Sequence, residues 1–212
     1  MLVLAGPSAV GKTTVSREII GQSDKFEFIR SATTRAPRGD AFDSEYIYLT
    51  DEEFRRELEG GGMLEHTEYS GSLYGTPRSE ILRAEREGKI PLLILDVFGV
   101  ESIRRGRYSD DMFAVYLYDE LNVLEERLYQ RYMTPPTVTG LTRFVKRREQ
   151  NIKDYLYFED RACLFDLLIF NDSAEKSAAS IISAMKSESI SRDNSDVVSK
   201  LYNMANSKLT KK

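Results

Sequence analysis

The chain has 212 residues, 41% of them apolar and 30% charged, with a net charge of −4 at neutral pH. This is enough chain to bury one substantial core, and the composition is that of a soluble globular domain rather than a disordered or fibrous one. The acidic balance argues against a nucleic-acid binder, no apolar run approaches a membrane span, and one cysteine (Cys163) with one histidine (His66) argues against disulfides, Cys- or His-based metal sites and a Ser-His-Asp triad.

The first predicted element is a strand, Leu2–Ala5, and its start at residue 2 is expected to leave no room for a signal peptide. With a lone cysteine, a reducing cytoplasm is the expected location. Gly6-Pro7-Ser8-Ala9-Val10-Gly11-Lys12-Thr13-Thr14 follows and fits G-x-x-x-x-G-K-[ST]. A helix is predicted next, with Val15, Ile19 and Ile20 on one face. Strand, glycine loop and helix together let backbone N–H groups surround a phosphate. In such a loop Lys12 reaches the β- and γ-phosphates and the Thr13 hydroxyl ligates Mg²⁺.

Residues 31–79 read as a small α+β subdomain set into an α/β core. Residues 31–40 are polar and turn-rich, and Tyr46-Ile47-Tyr48-Leu49-Thr50 reads as a strand. Thr50-Asp51-Glu52-Glu53 is a capping box opening a helix through Phe54 and Leu58, which Gly60-Gly61-Gly62 ends. Residues 63–76 read as further strand and turn. Strands are then predicted at Leu92–Leu95, Phe113–Tyr118 and Leu167–Phe170, with a helical stripe at Leu121, Leu124 and Leu128 and another at Ile181, Ile182 and Met185. Strands alternating with helices predict a parallel sheet covered on both faces. Pro135-Pro136, Gly140 and the basic cluster Arg143, Lys146, Arg147 and Arg148 mark residues 131–148 as either a solvated helix face or a lid carrying cations. Residues 188–212 read as a tail, expected to be partly disordered, with Val197, Leu201 and Ala205 at helical spacing.

A phosphate loop establishes nucleotide binding but not an activity, so the second substrate must be read from other residues. Arg35 and Arg38 lie three apart in a turn held by Pro37, where two guanidiniums can grip one phosphate. Ser31, Tyr46 and Tyr74 carry hydroxyls suited to phosphate oxygens or a base. Glu65 is a carboxylate that can accept two hydrogen bonds from guanine N1–H and N2–H₂. Each also has a plain structural reading: surface arginines, tyrosines packed on a sheet, an exposed strand glutamate.

Taken together, Gly6-Pro7-Ser8-x-x-Gly11-Lys12-Thr13, Ser31-x-Thr33-Thr34-Arg35-x-Pro37-Arg38, Tyr46, Glu65, Tyr69-Ser70-Gly71-x-x-Tyr74-Gly75-Thr76, Asp96-x-x-Gly99-Val100 and Asn171-Asp172 resemble guanylate kinase over about residues 1–185. The resemblance implies a P-loop α/β/α fold with a parallel core sheet (1–30, 80–130 and 149–187), a GMP-binding subdomain (31–79) and a helical lid (131–148). It implies transfer of a phosphoryl group from ATP, with Mg²⁺, to GMP and dGMP. By that similarity Ser31, Arg35, Arg38, Tyr46 and Tyr74 hold the GMP phosphate, and Glu65, Thr76 and Asp96 read guanine. Gly6, Ser8, Ala9, Val10, Gly11, Lys12, Thr13 and Thr14 hold ATP with Arg127, and Asn171 lies at the adenine. Lys12, Arg35, Arg131 and Arg147 supply the catalytic cations, and Thr13 ligates Mg²⁺. No nucleic-acid or membrane partner is expected, and the chain is expected to be a monomer or homodimer.

Three departures from the family pattern predict a divergent member. Tyr132-Met133-Thr134-Pro135-Pro136 follows Arg131 where Arg-Gly and an acidic run are usual. Phe98 replaces a common Gln, and Ile94 stands two residues before Asp96, where a second acid is usual. Two other readings remain at this level: a related kinase acting on another phosphorylated acceptor, and an inactive guanylate-kinase-like binding module.

Overall fold

The structure, a computed structural model, describes residues 1–37, 39, 43–69, 71–106, 108–187 and 194–210. Its contacts divide into two compact units: Met1–Val3 with Ile20–Met112, and Leu4–Ile19 with Phe113–Lys212. A five-stranded sheet runs in the order β2-β7-β1-β8-β9, where β1 is Leu2–Ala5, β2 Phe26–Phe28, β7 Ile90–Ile94, β8 Phe113–Tyr118 and β9 Leu167–Phe170. The pairs β2/β7 and β8/β9 are parallel. All four residues of β1 are buried, as an apolar run inside a parallel sheet must be.

A four-stranded sheet lies within the first unit. Its order is β4-β3-β6-β5, with β3 Ser31–Thr33, β4 Tyr46–Tyr48, β5 Met63–Tyr69 and β6 Ser72–Pro77. Residues 31–33, read from the sequence as turn, therefore form a strand, parallel to β4 and antiparallel to β6. Helix α2 (Asp51–Glu59) begins at the capping box: the Thr50 side chain accepts from the Glu53 N–H and the Glu53 carboxylate accepts from the Thr50 N–H. Phe54 of α2 then packs with Ala32 and Met63, and Ile47, Leu49, Leu58 and Leu73 close around them. Two further helices, α3 (Arg78–Arg86) and α4 (Val97–Arg104), bury Ile81 and Ala84, and Val100 and Ile103.

In the second unit α1 (Lys12–Gln22) follows the glycine loop. Val15 and Ile19 are buried, whereas Ile20, expected on the same face, is exposed. Helices α5 (Leu121–Met133), α6 (Val138–Leu156) and α7 (Ala174–Ala184) also belong to this unit. Thr137 caps α6 by accepting from the Gly140 N–H at 2.9 Å. Leu121, Leu124 and Leu128 are buried on one face of α5, as their spacing requires. An aromatic cluster of Tyr116, Phe158 and Phe165 fills the space beside β8, with centroids 4.2 to 5.9 Å apart. The tail contains a helix, α8 (Ser195–Leu209), which packs on α6 and buries Leu201 and Ala205 completely. Among the described residues no helix is long and apolar enough to cross a membrane.

Candidate functional site

The glycine loop of the second unit is held by its carbonyl oxygens. Lys12 Nζ donates to Gly6 O at 2.8 Å and to Pro7 O at 3.0 Å. Asn151 of α6 donates to Ser8 O at 3.0 Å, Arg127 of α5 to Ala9 O at 3.3 Å, and Asn171 to Val10 O at 2.6 Å. Five successive carbonyls, residues 6 to 10, are thus tied. A trans peptide points its N–H opposite to its C=O, so the ties on the Ser8 and Val10 carbonyls direct the Ala9 and Gly11 N–H groups to the other side of the chain, while the Ser8 N–H is taken by Asn151. That arrangement is an anion cradle at a helix N-terminus. Gly6 makes it possible: at φ 144° a Cβ here would lie 2.3 Å from Leu117 O. Ala9 keeps a side chain at φ 66°, a left-handed conformation that non-glycine residues seldom adopt.

Arg147, Arg127 and Asn171 all contact this loop. Arg147 donates to Ser8 Oγ at 3.1 Å, and Arg127 lies 3.0 Å from the buried carboxylate of Asp119. Asn171 is buried, and its Oδ1 accepts from Ser177 Oγ at 2.7 Å, so its amide is committed beneath the loop. Thr13 and Thr14 lie in the first turn of α1. Arg131 lies in the last turn of α5, its guanidinium 5.7 Å from the Tyr132 ring. The basic cluster divides: Arg147 reaches the loop, Arg148 pairs with Glu125 at 2.8 Å, and Arg143 and Lys146 are exposed.

A second cluster lies in the first unit. β3 pairs Ser31 with Tyr46 of β4 and Thr33 with Tyr74 of β6, which brings the Tyr46 and Tyr74 rings edge to face at 6.3 Å. The Arg35 guanidinium sits over Tyr46 at 5.1 Å. It donates to Tyr48 Oη at 3.2 Å and to Ala36 O at 2.8 Å, and it pairs with Asp43 at 3.5 Å. Tyr48 in turn donates to Asp43. Neither Tyr48 nor Asp43 was singled out from the sequence, and the only signal was a second tyrosine two residues along the strand from Tyr46. Arg38 lies outside the described residues.

Glu65 is 6% exposed. The β5/β6 register shifts between Met63 and His66, and such an irregularity turns a side chain out of the regular alternation. Thr76 of β6 donates to Glu65 Oε1 at 2.7 Å. Burial pushes the Glu65 carboxyl up to about 7; the Thr76 bond opposes this and the nearby Asp96 charge adds to it. Asp96 caps α4, with Oδ1 accepting from the Gly99 N–H at 2.8 Å. A Cβ on Gly99 would lie 3.3 Å from Glu65 Oε2, so the glycine keeps that oxygen clear. Phe98, where the family commonly has Gln, is 56% exposed.

The geometry thus gives an anion cradle in one unit and, in the other, an arginine–tyrosine group and a buried carboxylate, Glu65. The family model for guanylate kinase matches residues 1–188. Guanylate kinase from Sus scrofa is 32% identical over 192 residues, covering 88% of this chain and 92% of the relative. Guanylate kinase from Lactobacillus johnsonii is also 32% identical over 192 residues, covering 90% and 89%. The solved guanylate kinase of Anaplasma phagocytophilum shares the fold, with a TM-score of 0.62 at 24% identity over 88% of this chain and 84% of that one. With a matching model over most of its length and relatives above 30% identity over about nine tenths of each chain, the chain belongs to the guanylate kinase family.

Proposed function

We propose that the chain transfers the γ-phosphoryl group of ATP to GMP or dGMP, giving ADP and GDP or dGDP, with the donor held by the second unit and the acceptor by the first. Gly6, Ser8, Ala9, Val10, Gly11, Lys12, Thr13 and Thr14 form the donor site. Its peptide N–H groups and Lys12 neutralise the phosphates, and Arg127 supports the loop at Ala9. Arg35, Ser31, Tyr46, Tyr74 and Arg38 hold the GMP phosphate. Glu65, set by Thr76 and flanked by Asp96, accepts from guanine N1–H and N2–H₂, donors that adenine does not present together.

Phosphoryl transfer asks little covalent chemistry of the protein: it needs in-line positioning and cations on the transferred group. No general base is required, because the attacking phosphate is already anionic. Lys12, Arg131 and Arg147 on the donor side and Arg35 on the acceptor side supply the charge. Residues 131–148, the end of α5 and the first half of α6, serve as a lid that excludes water and so suppresses ATP hydrolysis.

Mg²⁺ fits the donor set. It keeps most of its waters and prefers one or two protein oxygens plus substrate phosphates. The Thr13 hydroxyl in the first turn of α1 supplies such an oxygen, and no cluster of three or more acidic, His or Cys residues stands elsewhere among the described residues. When bound, the ion neutralises phosphate charge. A reducing cytoplasm suits the free thiol of Cys163.

The observation that carries this reading is the intact, carbonyl-tied phosphate loop in a chain of this family. The test is an assay of ADP release from Mg·ATP with GMP, dGMP, AMP, UMP, CMP or no acceptor. Turnover with GMP and dGMP alone is expected. Turnover with another acceptor, or with none of them, would overturn the proposal.

A further inference from the structure

Ser8 is gripped by α6 at three points. Its N–H donates to Asn151 Oδ1 at 2.8 Å, its C=O accepts from Asn151 Nδ2 at 3.0 Å, and its hydroxyl accepts from Arg147 at 3.1 Å. Residues 147 and 151 are four apart and so share one face of the helix. Asn151 is 2% exposed, and its two bonds are complementary: the amide oxygen meets a donor and the amide nitrogen an acceptor.

The bonds fix two peptide groups. Turning the Ser8 N–H to Asn151 turns the Pro7 carbonyl the other way, and there Lys12 Nζ meets it at 3.0 Å. Turning the Ser8 carbonyl to Asn151 turns the Ala9 N–H away from α6. The same residue therefore sets where Lys12 rests and which way the Ala9 N–H points. Arg127 and Asn171 each tie one carbonyl of the loop; Asn151 ties both sides of one residue.

We propose that Asn151 is a positioning residue for the donor nucleotide: by holding both backbone groups of Ser8 it sets the direction of the Ala9 N–H and the resting place of Lys12 for phosphate binding, and with Arg147 it couples the loop to α6. This rests on the reading of Gly6–Thr14 as the ATP phosphate site. Preorganised donors cost nothing to reorient when the anion arrives, so loss of the clamp appears as weaker donor binding rather than as a general loss of activity.

The experiment titrates full-length Asn151→Ala with Mg·ADP by calorimetry and measures KM for ATP and for GMP beside a thermal melt. Mg·ADP binding is expected to weaken about tenfold, KM for ATP to rise in step, and KM for GMP to stay within about twofold. Asn151→Asp keeps the shape and the acceptor for the Ser8 N–H but loses the donor to the Ser8 carbonyl. It serves if the alanine variant does not fold, and weaker Mg·ADP binding is expected there too. A lowered melting temperature with wild-type Mg·ADP affinity would make Asn151 merely structural and overturn the inference alone. A wild-type chain that does not bind Mg·ADP would overturn the phosphate-site reading and the inference together.

Discussion

The Thr76 hydroxyl donates to Glu65 across the β5–β6 hairpin at 2.7 Å, on a carboxylate that burial pushes up to about 7. The folded protein therefore favours protonated Glu65 over its ordinary value of 4.5. Stability from this group is fully present below about 4.5 and is lost as pH rises through about 7, a total of about 3 kcal/mol. Glu65→Gln should be more stable than wild type at pH 8, with the difference closing toward pH 5 in thermal melts. Guanine donors favour the ionised carboxylate, so GMP binding should release a proton between pH 6 and 7. Calorimetry in buffers of different ionisation heat measures this, and Glu65→Gln corrects for the ionisation of the nucleotide phosphate. No difference between the two proteins in proton release would remove Glu65 from the guanine site.

Asp43 pairs with Arg35, the arginine proposed to hold the GMP phosphate. Its carboxylate lies 3.5 Å from the guanidinium, both side chains being largely shielded, and it also accepts from Tyr48 and from the Gly39 N–H. Any phosphate held by Arg35 shares that cation with a fixed anion nearby. Asp43→Asn keeps an acceptor for the turn and removes the charge, while Tyr48 and Ala36 still orient the guanidinium. KM for GMP should fall about three- to fivefold, with KM for ATP unchanged. A rise in KM for GMP would mean that the ion pair positions Arg35 more than it competes.

The sequence was most legible where one stretch of chain carries the whole instruction. The glycine loop, the capping box at Thr50 and Glu53, and the apolar strands β1, β8 and β9 are written within a few residues. Ser31–Thr33 was read as turn because its strand exists only through partners at Tyr46 and Tyr74. Asn151 carried no local signal either: a polar residue on an amphipathic helix is ordinary, and its partner Ser8 lies 143 positions away. Tyr48 and Asp43 escaped notice for a related reason. Their chemistry lies in what they do to Arg35, which neighbouring residue types do not reveal.

Helix α8 lies beyond the stretch matched by the family model, yet its contacts are those of a core element. Leu201 and Ala205 are fully buried, Lys208 reaches Glu125 at 3.0 Å, and Glu125 also holds Arg148 of α6. These half-buried ion pairs contribute modestly, whereas removing a buried leucine side chain leaves a cavity. Leu201→Ala should cost about 3 kcal/mol in urea denaturation. A cost below about 1 kcal/mol would show that α8 is loosely attached and adds little to the second unit.

Ala9 holds a left-handed backbone at φ 66° in the middle of the phosphate loop. A β-carbon in that region costs about 1–2 kcal/mol, and the loop is held there because the neighbouring carbonyls are tied by Asn151, Arg127 and Asn171. Ala9→Gly removes the clash but gives the unfolded chain more freedom, an opposing cost of about 0.4–1 kcal/mol. The steric relief should win by about 0.5 kcal/mol, raising the urea midpoint slightly with an unchanged slope. The Arg127 tie goes to the Ala9 backbone, not to its methyl, so KM for ATP should be unaffected. A destabilisation of about 1 kcal/mol or more would show that the methyl makes packing contacts worth more than the strain it causes. A rise in KM for ATP without loss of stability would instead show that the residue stiffens the cradle, and that the strain belongs to binding rather than to folding.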